Sequence, residues 1–111
     1  MFYGCTKLEN IDLSNFNTSN VTNMGRIFSN CESLEELDIF NWDTSKVTNM
    51  YGMFEKCKTL KELNLSGWNV SNVKDMACMF LYCESLEKLN ISNWNTSNVT
   101  NMIGMFGCAF L

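Results

Sequence analysis

The chain alternates apolar and polar residues in short segments, and each such segment predicts a β-strand. Leu37 and Ile39 alternate with Glu36 and Asp38, which is the two-residue period of a strand with one buried face. The same pattern returns at residues 60–65. We expect successive strands to pair in parallel, about 4.8 Å apart, with their apolar residues facing inward.

A second segment has the spacing of an amphipathic helix. Its apolar residues fall at i, i+3, i+4 and i+7: Met50, Met53, Phe54 and Cys57. This spacing forms one stripe of a helix, and Asn49, just before it, is a residue type favoured as an N-cap. The sequence therefore predicts a short helix or 3₁₀ turn near residues 50–56, which Gly52 weakens.

Both segments return with a fixed period of 26 residues. The clearest column is aromatic: Phe2, Phe28, Phe54, Phe80 and Phe106. The chain divides into four full units and a partial fifth: residues 1–26, 27–52, 53–78, 79–104 and 105–111. A period of this size is typical of a solenoid, in which each unit stacks on its neighbours.

The period predicts one solenoid domain over residues 1–111. Each unit would contribute one short parallel strand and one short helical or 3₁₀ turn. Neither end shows the polar capping repeat that solenoids usually carry, so we expect a piece of a longer array.

Composition and charge exclude several classes of function. The net charge is −4 and the eight Lys and Arg residues are scattered, which argues against nucleic acid and anionic membrane surfaces. No apolar run approaches the roughly 20 residues of a membrane span. The chain has no His, so it lacks the commonest general base and imidazole metal ligand. We expect no enzyme, cofactor or metal site.

The units resemble the 26-residue repeat of the BspA-like leucine-rich repeat family of bacterial surface proteins. Two stretches carry the resemblance: Leu34–Asp38 followed by Asn41–Ser45, and Ser97–Met102 followed by Met105-Phe106. The resemblance implies a leucine-rich-repeat solenoid, a location outside the cell or on its surface, and adhesion to proteins. It supplies no catalytic or ligand-binding residues, and no signal peptide is visible in residues 1–10.

Three features depart from that repeat. Phe16 replaces Trp in the first unit, and Val70 and Lys74 replace Thr in the third. Cys108 follows Phe106 one residue too early for the Phe-x-x-Cys spacing. We expect an irregular last turn.

The outward positions of the predicted strands form the candidate binding face. Its residues are Glu36, Asp38, Phe40, Glu62, Asn64, Lys88 and Asn90. Phe40 interrupts a column that is otherwise serine; it is either a binding anchor or an ordinary single apolar residue at the surface.

Two further columns are interpreted as structural. The cysteines at positions 5, 31, 57 and 83 favour a packed ladder of free thiols over disulfides or a metal site. The tryptophans at positions 42, 68 and 94 favour a buried ladder over a carbohydrate-binding strip. Cys78 lies off the cysteine column, as a candidate exposed thiol or a neutral substitution.

Two hypotheses of function remain open. The first is a surface module that binds a host or cell-surface protein through the candidate binding face. The second is a structural spacer or repeat array that self-associates end to end without a specific ligand, because exposed terminal strands promote assembly.

Overall fold

The fold is a stack of equivalent units, in which each residue lies beside the residue 26 positions further along the chain. The structure, a computed structural model, describes residues 2–107. Two strands, β1 (Glu62–Asn64) and β2 (Lys88–Asn90), pair in parallel. Glu62 pairs with Lys88, so the register joins residues that are 26 positions apart.

The strand prediction is confirmed in the third and fourth units and is wrong in the first and second. Residues 10–12 and 36–38 form no strand. Like charges meet at both of these junctions, because Asp12 neighbours Asp38 and Glu36 neighbours Glu62 in register. Like charges on adjacent strands are destabilising, whereas β1 and β2 bring together Glu62 and Lys88, which carry opposite charges.

The predicted helix is wrong: residues 51–56 form consecutive turns, and no helix occurs within residues 2–107. One set of backbone N–H groups donates to carbonyls three residues earlier, from Met53 to Met50, Glu55 to Gly52 and Cys57 to Phe54. The alternate set donates to the next unit at 2.8–2.9 Å, from Met50 to Asp75, Gly52 to Ala77, Phe54 to Met79 and Lys56 to Leu81. An α-helix would need every one of these donors within its own segment.

Backbone dihedral angles give a second reason for the absence of a helix. Gly52 and Lys56 have φ angles of 57° and 61°, in the left-handed region that a right-handed helix excludes. Asn49 is therefore not a helix cap. Its Oδ1 accepts the N–H of Tyr51 at 2.8 Å, which is an Asx turn.

A column of isolated β-bridges explains why either Asn or Asp precedes these turns. Parallel bridges connect Asn23 to Asn49, Asn49 to Asp75 and Asp75 to Asn101. In each of these residues Oδ1 accepts the N–H two residues ahead, as from Ala77 to Asp75 at 2.9 Å. Either side chain supplies that oxygen, so both residue types satisfy the turn.

The core is built on the phenylalanine column. Neighbouring rings lie 5.5–5.7 Å apart with interplanar angles of 5–6°. Phe28, Phe54 and Phe80 are fully buried. Stacked rings at this separation gain dispersion energy beyond the burial of their area, so the column ties every unit to the next.

The cysteines packed in this core donate hydrogen bonds to the backbone. The thiols of Cys31, Cys57 and Cys83 donate to the carbonyls of Phe2, Phe28 and Phe54 at 3.0–3.2 Å. The five cysteines within residues 2–107 are free, as the thiol-ladder interpretation predicts; Cys108 lies outside the described residues. Burial raises the pKa of Cys31 to about 11 and of Cys83 to about 12.

The tryptophans lie between the strand position of each unit and the turns that follow it. The rings of Trp68 and Trp94 stack at 6.4 Å, and their indole N–H groups donate to Ile39 and Leu65 at 2.9 Å. Trp42 packs on Phe28 instead, at 5.8 Å. Trp42 and Trp68 are 8% and 3% exposed, so they offer no ring face to a carbohydrate.

Truncation of one phenylalanine tests the importance of the column. We expect Phe54→Ala to lower the free energy of unfolding by about 3–5 kcal/mol, because it removes a buried ring and leaves a cavity. Phe106→Ala is the matched control, since Phe106 stands in the same column but is 42% exposed. Urea denaturation measures both variants, and equal losses would contradict the burial argument.

The thiol pKa shifts predict a labelling order. The thiolate is the reactive form, so we expect Cys31, Cys57 and Cys83 to resist a maleimide in the folded protein at pH 8. The half-buried Cys5 and Cys78 should react before these three. Mass spectrometry of peptides resolves each site, and rapid native labelling of Cys57 would show that the core opens freely.

Candidate binding face

Strands β1 and β2 present four of the seven predicted residues to solvent. Glu62 and Asn64 are exposed on either side of the buried Leu63. Lys88 and Asn90 are exposed around Leu89, which is half-buried. The two-residue period of a strand therefore aims these polar side chains outward together.

The second unit contributes the next two residues without forming a strand. Glu36 and Asp38 are exposed and Leu37 is half-buried, so the alternation continues although strand pairing does not. Glu35 still donates its N–H to the carbonyl of Glu9 at 3.0 Å, which keeps this unit stacked on its neighbour.

A shallow groove joins five of the seven residues. Its volume is about 450 Å³, and it is lined by Leu37, Asp38, Glu62, Leu63, Asn64, Lys88, Leu89 and Asn90. The sequence pattern places the three leucines wholly in the core and therefore does not predict their part in the groove. Partial exposure of Leu37 and Leu89 gives the groove an apolar floor between polar walls.

Glu36 lies outside this groove. It lines an adjoining depression of about 240 Å³ with Glu35, Lys61, Glu62, Glu87 and Lys88. Glu62 and Lys88 line both recesses, so Glu36 is continuous with the groove across these two side chains.

Phe40 lines neither recess. Its ring is 39% exposed and lies over Gly67, where an added Cβ would approach the Phe40 Cζ to 2.9 Å. The missing side chain of Gly67 thus makes room for the ring. The anchor role of Phe40 stays a prediction.

Electrostatic contacts leave the groove available to a partner. Lys88 and Glu62 are 4.0 Å apart and more than 70% exposed, and such a pair adds little stability. Asn64 Oδ1 accepts both the N–H and the hydroxyl of Ser66, at 3.1 and 2.7 Å. Asn90 Oδ1 accepts the N–H of Ser92 at 3.1 Å. Among the residues that the structure describes, neither amide Nδ2 group has an acceptor, so both can donate to a partner.

Cys78 belongs to a different part of the surface. It is half-buried, its φ is 58°, and its Sγ lies 3.8 Å from the carbonyl of Ile103. The structure therefore places this thiol in the turn segment of the third unit, and not in the groove.

The chain belongs to the family described as Mycoplasma protein of unknown function, DUF285, which matches residues 1–110. No curated protein matches the chain. Within the part that the structure describes, no helix is long and apolar enough to cross a membrane.

A solved structure shows the fold. It is a leucine-rich cell surface protein from Faecalibacterium prausnitzii A2-165, with a TM-score of 0.67 and 24% identity. The match covers 99% of this chain and 27% of that one, so the chain spans about a quarter of the length of this relative. The likeness confirms the predicted repeat fold, while the predicted helical turn does not form.

Proposed function

We propose that the chain is a surface-exposed module that recognises a protein through the candidate binding face. The observation that carries this proposal is the groove of about 450 Å³, whose walls are exposed polar side chains. These side chains stand on units fixed by the core, and a rigid scaffold lowers the entropic cost of binding.

The order of charges along the face supports a protein ligand. The second unit contributes Glu36 and Asp38, the third contributes Glu62 and Asn64, and the fourth contributes Lys88 and Asn90, so the face changes from acidic to basic along the stack. A partner with a basic group followed by an acidic one would complement this order, and such complementarity fixes orientation as well as partner choice.

The chain's proposed setting is a longer leucine-rich-repeat solenoid at the cell surface. Two facts support it: the chain spans 27% of a larger relative, and that relative is a cell surface protein. We propose no catalytic role, because the polar positions of the groove recur with the period of the fold and their side chains form no separate cluster.

A second candidate function is self-association of stacked units. Met102, Ile103 and Phe106 are 43%, 79% and 42% exposed, whereas Met50, Met76 and Phe54 are fully buried in the columns that contain Met102 and Phe106. This apolar edge favours contact with a further unit of the same fold, such as one supplied by a second copy.

A binding screen tests the first candidate. Immobilised extracellular-matrix and cell-surface proteins serve as probes, measured by surface plasmon resonance. We expect a ligand whose affinity falls at least about tenfold, or 1.4 kcal/mol, with Asp38→Lys. Phe40→Ser tests the anchor without harming the fold, since the equivalent residues Ser14, Ser66 and Ser92 are serine.

Glu84→Lys is the matched control for charge, because Glu84 is exposed but lines neither recess of the binding face. A ligand that loses affinity equally with Asp38→Lys and Glu84→Lys responds to net charge alone. That result would contradict recognition by the groove.

Light scattering over a concentration series tests the second candidate. If the apolar edge mediates assembly, mass should rise with concentration and Ile103→Lys should return the protein to a monomer. A monomer at all concentrations, in both the parent and Ile103→Lys, would exclude self-association by this edge.

A further inference from the structure

Two columns of the turn segments hold their backbone in the left-handed region. The first column contains Arg26, Gly52, Cys78 and Gly104, with φ angles of 57–68°. The second contains Gly4, Asn30, Lys56 and Tyr82, with φ angles of 60–75°. The turn geometry therefore demands a positive φ at both places in every unit.

Glycine meets this demand without strain, and Asn tolerates it better than other residues. Gly4, Gly52 and Gly104 show that the fold accepts glycine in both columns. The larger side chains of Arg26, Lys56 and Tyr82 are therefore not required by the backbone. Residues held in such conformations concentrate at functional sites. These three positions are therefore candidates for a functional role.

Arg26 makes specific contacts across the next unit. Its guanidinium carbon lies 5.0 Å from the centre of the Tyr51 ring, within the range of a cation–π interaction. Gly52 leaves the space that this requires, because an added Cβ would lie 3.3 Å from Arg26 Cγ and 3.1 Å from Glu55 Oε2.

Lys56 and Tyr82 continue the same surface. Lys56 follows Glu55 and donates its N–H to the carbonyl of Leu81 at 2.8 Å, which sets Tyr82 beside it in the next unit. Tyr82 is 39% exposed and Tyr3 is 56% exposed. We name this surface the turn patch, defined by Tyr3, Arg26, Tyr51, Glu55, Lys56 and Tyr82.

We propose that the turn patch is a second protein-interaction surface, which takes an acidic segment bearing aromatic side chains. The planar guanidinium of Arg26 can bind a carboxylate through two hydrogen bonds, and Lys56 adds a second positive charge. The tyrosines provide ring faces for aromatic packing. Tyr and Arg are also the residue types that dominate binding energy at protein interfaces.

Charge separates this patch from the candidate binding face. The turn patch holds two cations and one carboxylate, whereas the binding face holds three carboxylates and one cation. An acidic partner segment would be repelled by Glu36, Asp38 and Glu62 but attracted by Arg26 and Lys56. The two surfaces therefore select different partners.

The internal repeat supplies the variants that test this proposal. Arg26→Gly and Lys56→Gly replace each cation with the residue found at the same place in another unit. We expect both variants to melt at or above the temperature of the parent, because glycine relieves the positive φ. Asn30→Gly is the matched control for Lys56→Gly, since it changes the same backbone column without removing a charge.

The probe is a random copolymer of glutamate and tyrosine, titrated into isotopically labelled protein and followed by NMR. We expect shift changes at residues 25–30, 51–56 and 82, and affinity at least tenfold weaker in Arg26→Gly/Lys56→Gly. Asn30→Gly and Asp38→Lys should bind no more weakly than the parent. Polyglutamate without tyrosine should bind more weakly than the copolymer.

Four results would overturn the proposal. They are no binding to the parent, undiminished binding to the double glycine variant, shift changes confined to the candidate binding face, or clear destabilisation by the single glycine substitutions. The last result would show that Arg26 and Lys56 serve the fold.

Discussion

The structure depends on how the turn segments divide their backbone N–H groups. Alternate donors, such as Met53 and Glu55, close turns to carbonyls three residues earlier, while Gly52 and Phe54 donate to carbonyls about 25 residues later, in the neighbouring unit. Neither set alone forms the stack, because the first closes the turns and the second bonds each unit to its neighbour. With phenylalanine stacking at 5.5–5.7 Å, this division makes each unit dependent on its neighbours, as in other repeat proteins.

The functional surfaces follow from that dependence. Stacking forces equivalent residues into columns, so a side chain that repeats in every unit is explained by the fold, and one that varies is free for other roles. Glu36 and Lys88 occupy one varying column of the binding face, and Lys56 and Tyr82 occupy one of the turn patch. The four units thus separate what the fold requires from what it only permits.

The sequence predicts the stacking, the core columns and the outward polar residues, because a period of 26 residues is unambiguous. It fails where two structures share one pattern: the spacing of Met50, Met53 and Phe54 suits a helix and equally suits stacked turns. The strands of the first two units do not form where the period brings like charges together, as at Asp12 and Asp38. The groove floor is not predicted, because the two-residue period marks Leu37 and Leu89 as inward-facing but does not show that they are only half-buried.

Native-state hydrogen exchange tests the division of backbone donors most directly. We expect the inter-unit amides of Gly52, Phe54 and Lys56 to be protected to the same degree as the turn amides of Met53 and Cys57, because one cooperative opening exposes both sets. Fast exchange of the inter-unit amides, with the turn amides still protected, would show that units fold independently. That result would contradict the stacking on which both proposed surfaces rest.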